Sequence, residues 1–176
     1  MLELKSIKTR NLKKQQILQI CKLKDSQWKF GIKEQLKFFK EKIKNKDIHN
    51  CIFLKKKIVG YTALKRRKII SNKKNFNYLL FETLIIKKDL RGKKLSYLMM
   101  QLNNKVIIKN KLTSFLICKN KLLNFYKKHH CKKINKKKFI VMDYPFKTNG
   151  MFFNFLALEK KGLKFDKNLI KIFTRK

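Results

Sequence analysis

Acidic residues, alanine, arginine and proline are all scarce in this chain. Of 176 residues only 10 are Asp or Glu, against 48 Lys and Arg, and the one proline is Pro145. No stretch rich in Pro, Gly or Ser reads as a linker, and no segment repeats, so the chain is expected to form a single domain. No apolar run approaches the roughly 20 residues of a membrane span. The N-terminus, MLELKSIKTRNLKKQQ, lacks the apolar core of a signal peptide. A cytoplasmic protein without a membrane partner is expected. The four cysteines, Cys21, Cys51, Cys118 and Cys131, form no C-x-x-C pair and match no zinc spacing. His129-His130-Cys131 is compact, but adjacent side chains diverge. Four reduced thiols and no metal are expected.

What is present is a core and a large positive charge. Hydrophobic residues make up 44% of the chain and 15 residues are Phe, which excludes a disordered polycation. The formal charge of +38 resembles a nucleic-acid signature. Lys, however, outnumbers Arg 43 to 5, and Ala occurs twice. Lys, Asn, Ile and Phe have AT-rich codons, so base bias accounts for much of the excess. Readers of base edges favour Arg, whose fork bonds bidentately. Here the Lys are spread over every element. Non-specific attraction to polyanions at low salt is expected. A non-enzymatic basic RNA-associated module rests on charge alone.

Along the chain, helical and strand patterns alternate. Leu2–Ile7 alternates as a short strand. Leu12–Leu23 and Ile32–Ile43 have helical spacing, the first through Leu12, Ile17, Ile20 and Cys21, the second through Ile32, Leu36, Phe39 and Ile43. Cys51–Leu54, a Lys55-Lys56-Lys57 turn and Ile58–Lys65 read as a hairpin. Residues 71–77 read as a polar loop. Tyr78–Lys87 is a continuous apolar strand of the kind buried on both faces. A helix over Lys93–Asn110, a strand over Thr113–Cys118, a short helix over Asn120–His129 and a basic loop over Lys132–Lys138 follow. Phe139–Tyr144 reads as a strand, and Met151–Leu158 as a strand or packed segment. Leu163, Phe165, Leu169, Ile170 and Phe173 are spaced for a short final helix. The order β-α-α-β-β-β-α-β-α-β implies a mixed α/β sheet flanked by helices.

The segment FETLIIKKDLRGKKLS, Phe81–Ser96, joins an apolar strand to a helix through a basic turn. Backbone N–H groups at such a junction are unsatisfied, and the helix dipole adds partial positive charge. It is a site for a phosphate or pyrophosphate.

Three matches in order make the chain resemble the GNAT superfamily of N-acetyltransferases, from Leu2 to Tyr144. Lys57-Ile58-Val59-Gly60-Tyr61 resembles the family's hairpin return strand. Arg91-Gly92-Lys93-Lys94-Leu95-Ser96 is similar to the acyl-CoA signature Gln/Arg-x-x-Gly-x-Gly/Ala, with Lys94 at the middle Gly and Ser96 at the last small residue. Asn120–Cys131 resembles the family's Asn…Tyr segment, with His130-Cys131 where Gly-Phe is usual. The resemblance implies an acyl-CoA N-acyltransferase fold, a mostly antiparallel twisted sheet splayed between its fourth and fifth strands. The core would cover about 1–145, with 146–176 as an extension of a single domain.

The resemblance further implies an acetyltransferase that uses acetyl-CoA as co-substrate and no metal. Its acceptor would be a small primary amine, an amino sugar being one class. A protein or ribosomal N-terminus is the alternative acceptor, and the assembly a monomer or homodimer. Backbone groups of Leu84, Ile85 and Ile86 would pair with pantetheine. Those of Arg91, Gly92, Lys93, Lys94, Leu95 and Ser96 would take the pyrophosphate. Lys94 can present its N–H there if its φ is ordinary, since positive φ is costly without Gly. The side chains of Lys93 and Lys94 read equally as solvated surface. Tyr126 is the candidate acid for the leaving thiolate, against a plain core tyrosine. Asn120 would contact coenzyme A or cap its own helix. Glu82, the one charge within its strand, would be a desolvated base acting through water, or simply a carboxylate paired with a Lys. His49 is a second candidate near the acceptor, placed in a loop. Trp28 lies on the connection over the acceptor site, to stack on a sugar or to anchor the loop.

Overall fold

The computed structural model describes residues 1–135, 138–142, 149–163 and 169–174. Tyr144 and Pro145 lie outside the described residues. In chain order the elements are β1 (Leu2–Lys8), α1 (Lys14–Asp25), α2 (Ile32–Lys42), β2 (Ile48–Leu54), β3 (Lys57–Ser71), β4 (Lys74–Ile86) and α3 (Leu95–Lys109). They continue with β5 (Ser114–Cys118), α4 (Leu123–Lys128), β6 (Lys132–Lys133), β7 (Phe139–Val141), β8 (Asn149–Phe153), α5 (Leu156–Glu159) and β9 (Ile170–Ile172). Among the described residues no helix is long and apolar enough to cross a membrane.

The strand order is β1-β2-β3-β4-β5-β8-β6, and β9 joins β3 and β7. Neighbours are antiparallel except at β4–β5 and β7–β9. This is the mixed, mostly antiparallel sheet with flanking helices that the sequence predicts. Contacts divide the chain into two units, one of residues 1–65 and 82–103, the other of 66–81 and 104–176.

In the first unit β1 pairs with β2 from Leu2↔Leu54 to Lys8↔Ile48, and β2 with β3. Ile20, Cys21 and Leu23 of α1 and Phe39 of α2 pack on Cys51, Phe53, Tyr61, Ala63 and Ile85. Leu95 and Met99 of α3 pack on Ile52, Val59 and Ile86. Strands covered on both faces need apolar side chains at successive positions, which is why these runs are continuous rather than alternating. Gly60 sits at the tightest point. A Cβ there would lie 3.0 Å from the terminal methyls of both Ile52 and Ile86.

In the second unit β4 pairs with β5 at Leu79↔Ser114 and Leu80↔Phe115. The core here is aromatic. Phe115 meets Tyr78 and Phe139 edge-on, with centroids at 6.3 and 5.8 Å, and Phe152 at 4.9 Å.

Three expectations are corrected. Residues 71–77 are not a loop: only Asn72 and Lys73 turn, with φ of 48° and 60°, and β4 begins at Lys74. Two left-handed residues make the tight turn whose twist matches antiparallel strands. The basic loop contains β6, a two-residue strand paired with β8. The final helix is instead β9, since Ile69↔Ile172 pairing and burial of Ile170 and Ile172 outweigh helical spacing.

Candidate functional site

A break in the rhythm of β4 shapes the first unit's site. Side chains of a regular strand alternate between faces. Ile85 belongs to the cluster under α1 and α2, while Leu84 and Ile86 belong to the cluster under α3. Glu82 nevertheless shares the α1–α2 side with Ile85, three residues on, because it bonds Lys65, whose ammonium lies over Phe38 of α2. The phase slips at Thr83, which has φ of 66°. For a β-branched residue this is a true outlier, and such strain clusters at functional positions. The slip re-aims the backbone of the strand's last residues, as a bulge does.

Beyond β4 the chain makes one 3-10 turn and reaches Arg91–Ser96. Arg91 donates from Nε to the Ile86 carbonyl at 3.2 Å and from Nη2 to Gln27, so its guanidinium is held within the protein and ties the turn to the α1–α2 connection. Gly92 has φ of 81° with nothing within 4 Å of a notional Cβ, so backbone freedom alone calls for glycine there. Lys94 has φ of 56°. The ordinary φ expected of it is not what the structure contains: the lysine adopts the left-handed conformation natural to a glycine. Tyr97 and Leu98 N–H both donate to the Lys94 carbonyl. Among the described residues no backbone N–H from Gly92 to Ser96 is bonded to a protein acceptor. An open concavity lined by Lys94, Tyr97, Leu98 and Gln101 adjoins them.

Glu82 is half-buried, its side chain 36% exposed, and is ion-paired with Lys65, whose side chain is 3% exposed. Of the two readings weighed for it, the pairing with a lysine is present and full desolvation is not. Lys65 and Lys24 both place Nζ against the Phe38 ring, at 4.9 and 4.4 Å from its centroid. Burial lowers the pKa of Lys24, and the Glu82 carboxylate opposes that. Lys24, Lys65 and Thr83 were not singled out from the sequence. For Lys65 a signal exists in its parity with Tyr61 and Ala63, which face inward from β3.

His49 is not in a loop but within β2 and is 0% exposed. Nε2 lies 2.9 Å from Thr9 Oγ1 and Nδ1 2.8 Å from the Tyr61 hydroxyl. The ring is stacked between Phe39 and Tyr61, with centroids at 5.4 and 5.8 Å. Burial first, then the charges of Lys65 and Lys24, push its pKa down to about 4. Trp28 is 39% exposed on the α1–α2 connection, and its carbonyl accepts from Gln35 Nε2 at 3.2 Å.

In the second unit Tyr126 is buried on α4, edge-on to Phe81 at 5.9 Å and to Phe125 at 5.2 Å. Burial raises its pKa, and the thiols of Cys118 and Cys131 add in the same direction. Its hydroxyl has no hydrogen-bond partner among the described residues. Asn120 caps nothing: its Oδ1 accepts from Asn149 Nδ2 at 2.6 Å. All four cysteines are buried, and burial raises Cys51 and Cys131 to about 12, which leaves those thiols unreactive. Among the described residues no three His, Cys, Asp or Glu side chains are placed to hold a metal ion.

No protein-family model and no curated protein matches the sequence. Solved structures do match the fold. An acyl-CoA N-acyltransferase from Pseudomonas aeruginosa superposes with a TM-score of 0.66 at 10% identity, covering 86% of this chain and 99% of its own. Escherichia coli ElaA gives 0.64 at 15%, covering 86% and 99%. The fold is that of the GNAT acyl-CoA N-acyltransferases. An aminoglycoside 6'-N-acetyltransferase complexed with coenzyme A matches with a TM-score of 0.58 at 9% identity over 84% and 94% of the two chains. At such identities it is the GNAT fold that is shared.

Proposed function

We propose that the chain is an acetyltransferase that moves the acetyl group of acetyl-CoA to a primary amine of a small acceptor by direct attack. The observation that carries this reading is the run of unbonded N–H groups from Gly92 to Ser96 at the head of α3. It is a cradle for a pyrophosphate, reinforced by the helix dipole and by the charges of Lys93 and Lys94. Arg91 supports the cradle from within through Ile86 and Gln27. The backbone groups of Leu84–Ile86, re-aimed by the slip at Thr83, pair with pantetheine amides. One of those N–H groups polarises the thioester carbonyl.

The amine lone pair attacks the carbonyl carbon. A C–N bond forms, the C–S bond breaks, and coenzyme A leaves as a thiolate. The proton lost by nitrogen ends on sulfur, and an acceptor that arrives as ammonium first passes its extra proton through a water to the Glu82 carboxylate. Tyr126 donates a hydrogen bond to the thiolate. With its pKa raised, it stabilises the leaving group rather than surrendering its proton, because an ordinary thiol is acidic at about 8.5. Asn120 offers its amide N–H groups to coenzyme A, its oxygen being held by Asn149. The exposed part of Trp28 provides a face for a sugar, which includes amino sugars among the acceptors. His49, enclosed and bonded at both nitrogens, is left out of this scheme.

Acetyl-CoA should raise the melting temperature, because a ligand that binds only the native state stabilises it. No rise at millimolar ligand, with tight selective RNA retention on filters at physiological salt, would overturn the reading in favour of a basic RNA-binding module.

A further inference from the structure

Four elements of the first unit converge on a part-open cluster: Lys24 from α1, Phe38 from α2, Lys65 from β3 and Glu82 from β4. Its charges do not balance. Two ammonium groups share one aromatic ring, and one carboxylate is present to answer them. Lys65 is fully enclosed and is bonded to that carboxylate. Lys24 is half-buried, and among the described residues it has no ion-pair partner. In a chain where most lysines stand in water, a cation kept partly desolvated beside a second cation is a costly arrangement. The ring face recovers part of that cost. A bound anion would recover more.

We propose that Lys24 receives an anionic group of the acceptor, so that the substrate class is a primary amine that also carries a carboxylate or a phosphate. The inference rests on the acyl-transfer reading, in which Glu82 faces the amine. Glu82 and Lys24 then address the two ends of one small zwitterion: carboxylate to amine, ammonium to anion, with Phe38 as the apolar floor. Lys65 is a positioning residue that holds the Glu82 carboxylate in place. The same arrangement disfavours a neutral amine, which leaves Lys24 unanswered.

The test is the melting temperature at fixed ionic strength with β-alanine, O-phosphoethanolamine or ethanolamine, for the wild type, Lys24→Met and Lys22→Met. Lys22 is exposed on the same helix and reports non-specific screening of the +38 charge. The expected result is a rise of about 3 °C with an anionic amine near saturation, none with ethanolamine, loss of the rise in Lys24→Met and its retention in Lys22→Met. The β-alanine and O-phosphoethanolamine arms tell carboxylate from phosphate. No rise with either anionic amine, an equal rise with ethanolamine, or a rise undiminished in Lys24→Met overturns the proposal. Lys24→Gln repeats the measurement should the methionine variant fold poorly. Acetyl-CoA is run alongside: loss of its own shift overturns the acyl-transfer reading, whereas its retention without an amine shift overturns the anionic acceptor alone.

Discussion

His49 on β2 and Lys24 on α1 belong to the same unit, and burial lowers the pKa of both. Around His49 every polar atom has an answer. Thr9 takes one nitrogen, Tyr61 the other, and two rings cover the faces. Around Lys24 there is a ring and a carboxylate already engaged by Lys65. A perturbed titration therefore does not by itself mark a site; the partner list separates framework from ligand-facing group. His49 is closed on itself, whereas the Lys24–Glu82 side is open and unevenly charged.

The contrast can be broken by mutation. His49→Ala should destabilise by about 4 kcal/mol, because it leaves a cavity and strands the Tyr61 hydroxyl. A urea midpoint unchanged in that variant would return His49 to the ligand-facing class. Acidification probes the same residue. Between about pH 6.5 and pH 4 the unfolded chain takes up a proton that the folded ring refuses. Stability that is present above pH 6.5 is thus lost as pH falls, by on the order of 3 kcal/mol. A pH series of urea midpoints should show this loss, reduced in His49→Gln.

On the open side, the effects of the ion pair should be asymmetric. Glu82→Gln strands a lysine that water cannot reach, at a cost of about 2 kcal/mol, and lowers kcat/KM about 100-fold. Lys65→Met strands a carboxylate that is 36% exposed and can be hydrated, so its cost should stay below about 1 kcal/mol. Equal losses in calorimetry would show that the two partners are alike in burial. Small effects are expected at the turn. Gly92→Ala should cost about 1 kcal/mol through backbone strain alone. Lys94→Gly should change stability by less than about 0.5 kcal/mol, because relief of strain and added unfolded-chain entropy oppose each other. A larger change in thermal unfolding for Lys94→Gly would mean that the lysine side chain packs on the turn.

Much of the fold was legible because its signals are local. Ile32, Leu36 and Phe39 mark α2, and the β-branched and aromatic run before Cys118 marks β5. Arg91-Gly92 announces the turn from strand to helix. What was illegible depends on distant partners. Leu169, Ile170 and Phe173 have helical spacing, yet Ile170–Ile172 becomes a strand because β3 and β7 offer edges to it. Residues 71–77 look like a loop because the turn residues are Asn and Lys rather than glycine, and because the hairpin arms carry polar side chains to its tip. In the site, the turn with its unbonded backbone N–H groups was readable from Gly92 and the helix pattern. The interior Lys65 was hidden among 43 lysines, and the slip at Thr83 leaves no compositional mark at all.

The pairing of β9 with β3 has a consequence for biosynthesis. Ile69 meets Ile172, Phe173 N–H donates to the Lys68 carbonyl, and the Tyr78 hydroxyl donates to the Phe173 carbonyl at 2.7 Å. The hairpin of β3 and β4 closes on itself soon after it leaves the ribosome, but the strand that covers the edge near its tip is translated about a hundred residues later. Until then that edge presents unpaired backbone groups beside Ile69 and Ile70. The nascent chain thus carries a temporary adhesive border, and the speed at which the ribosome reads the intervening lysine codons sets how long it stays uncovered.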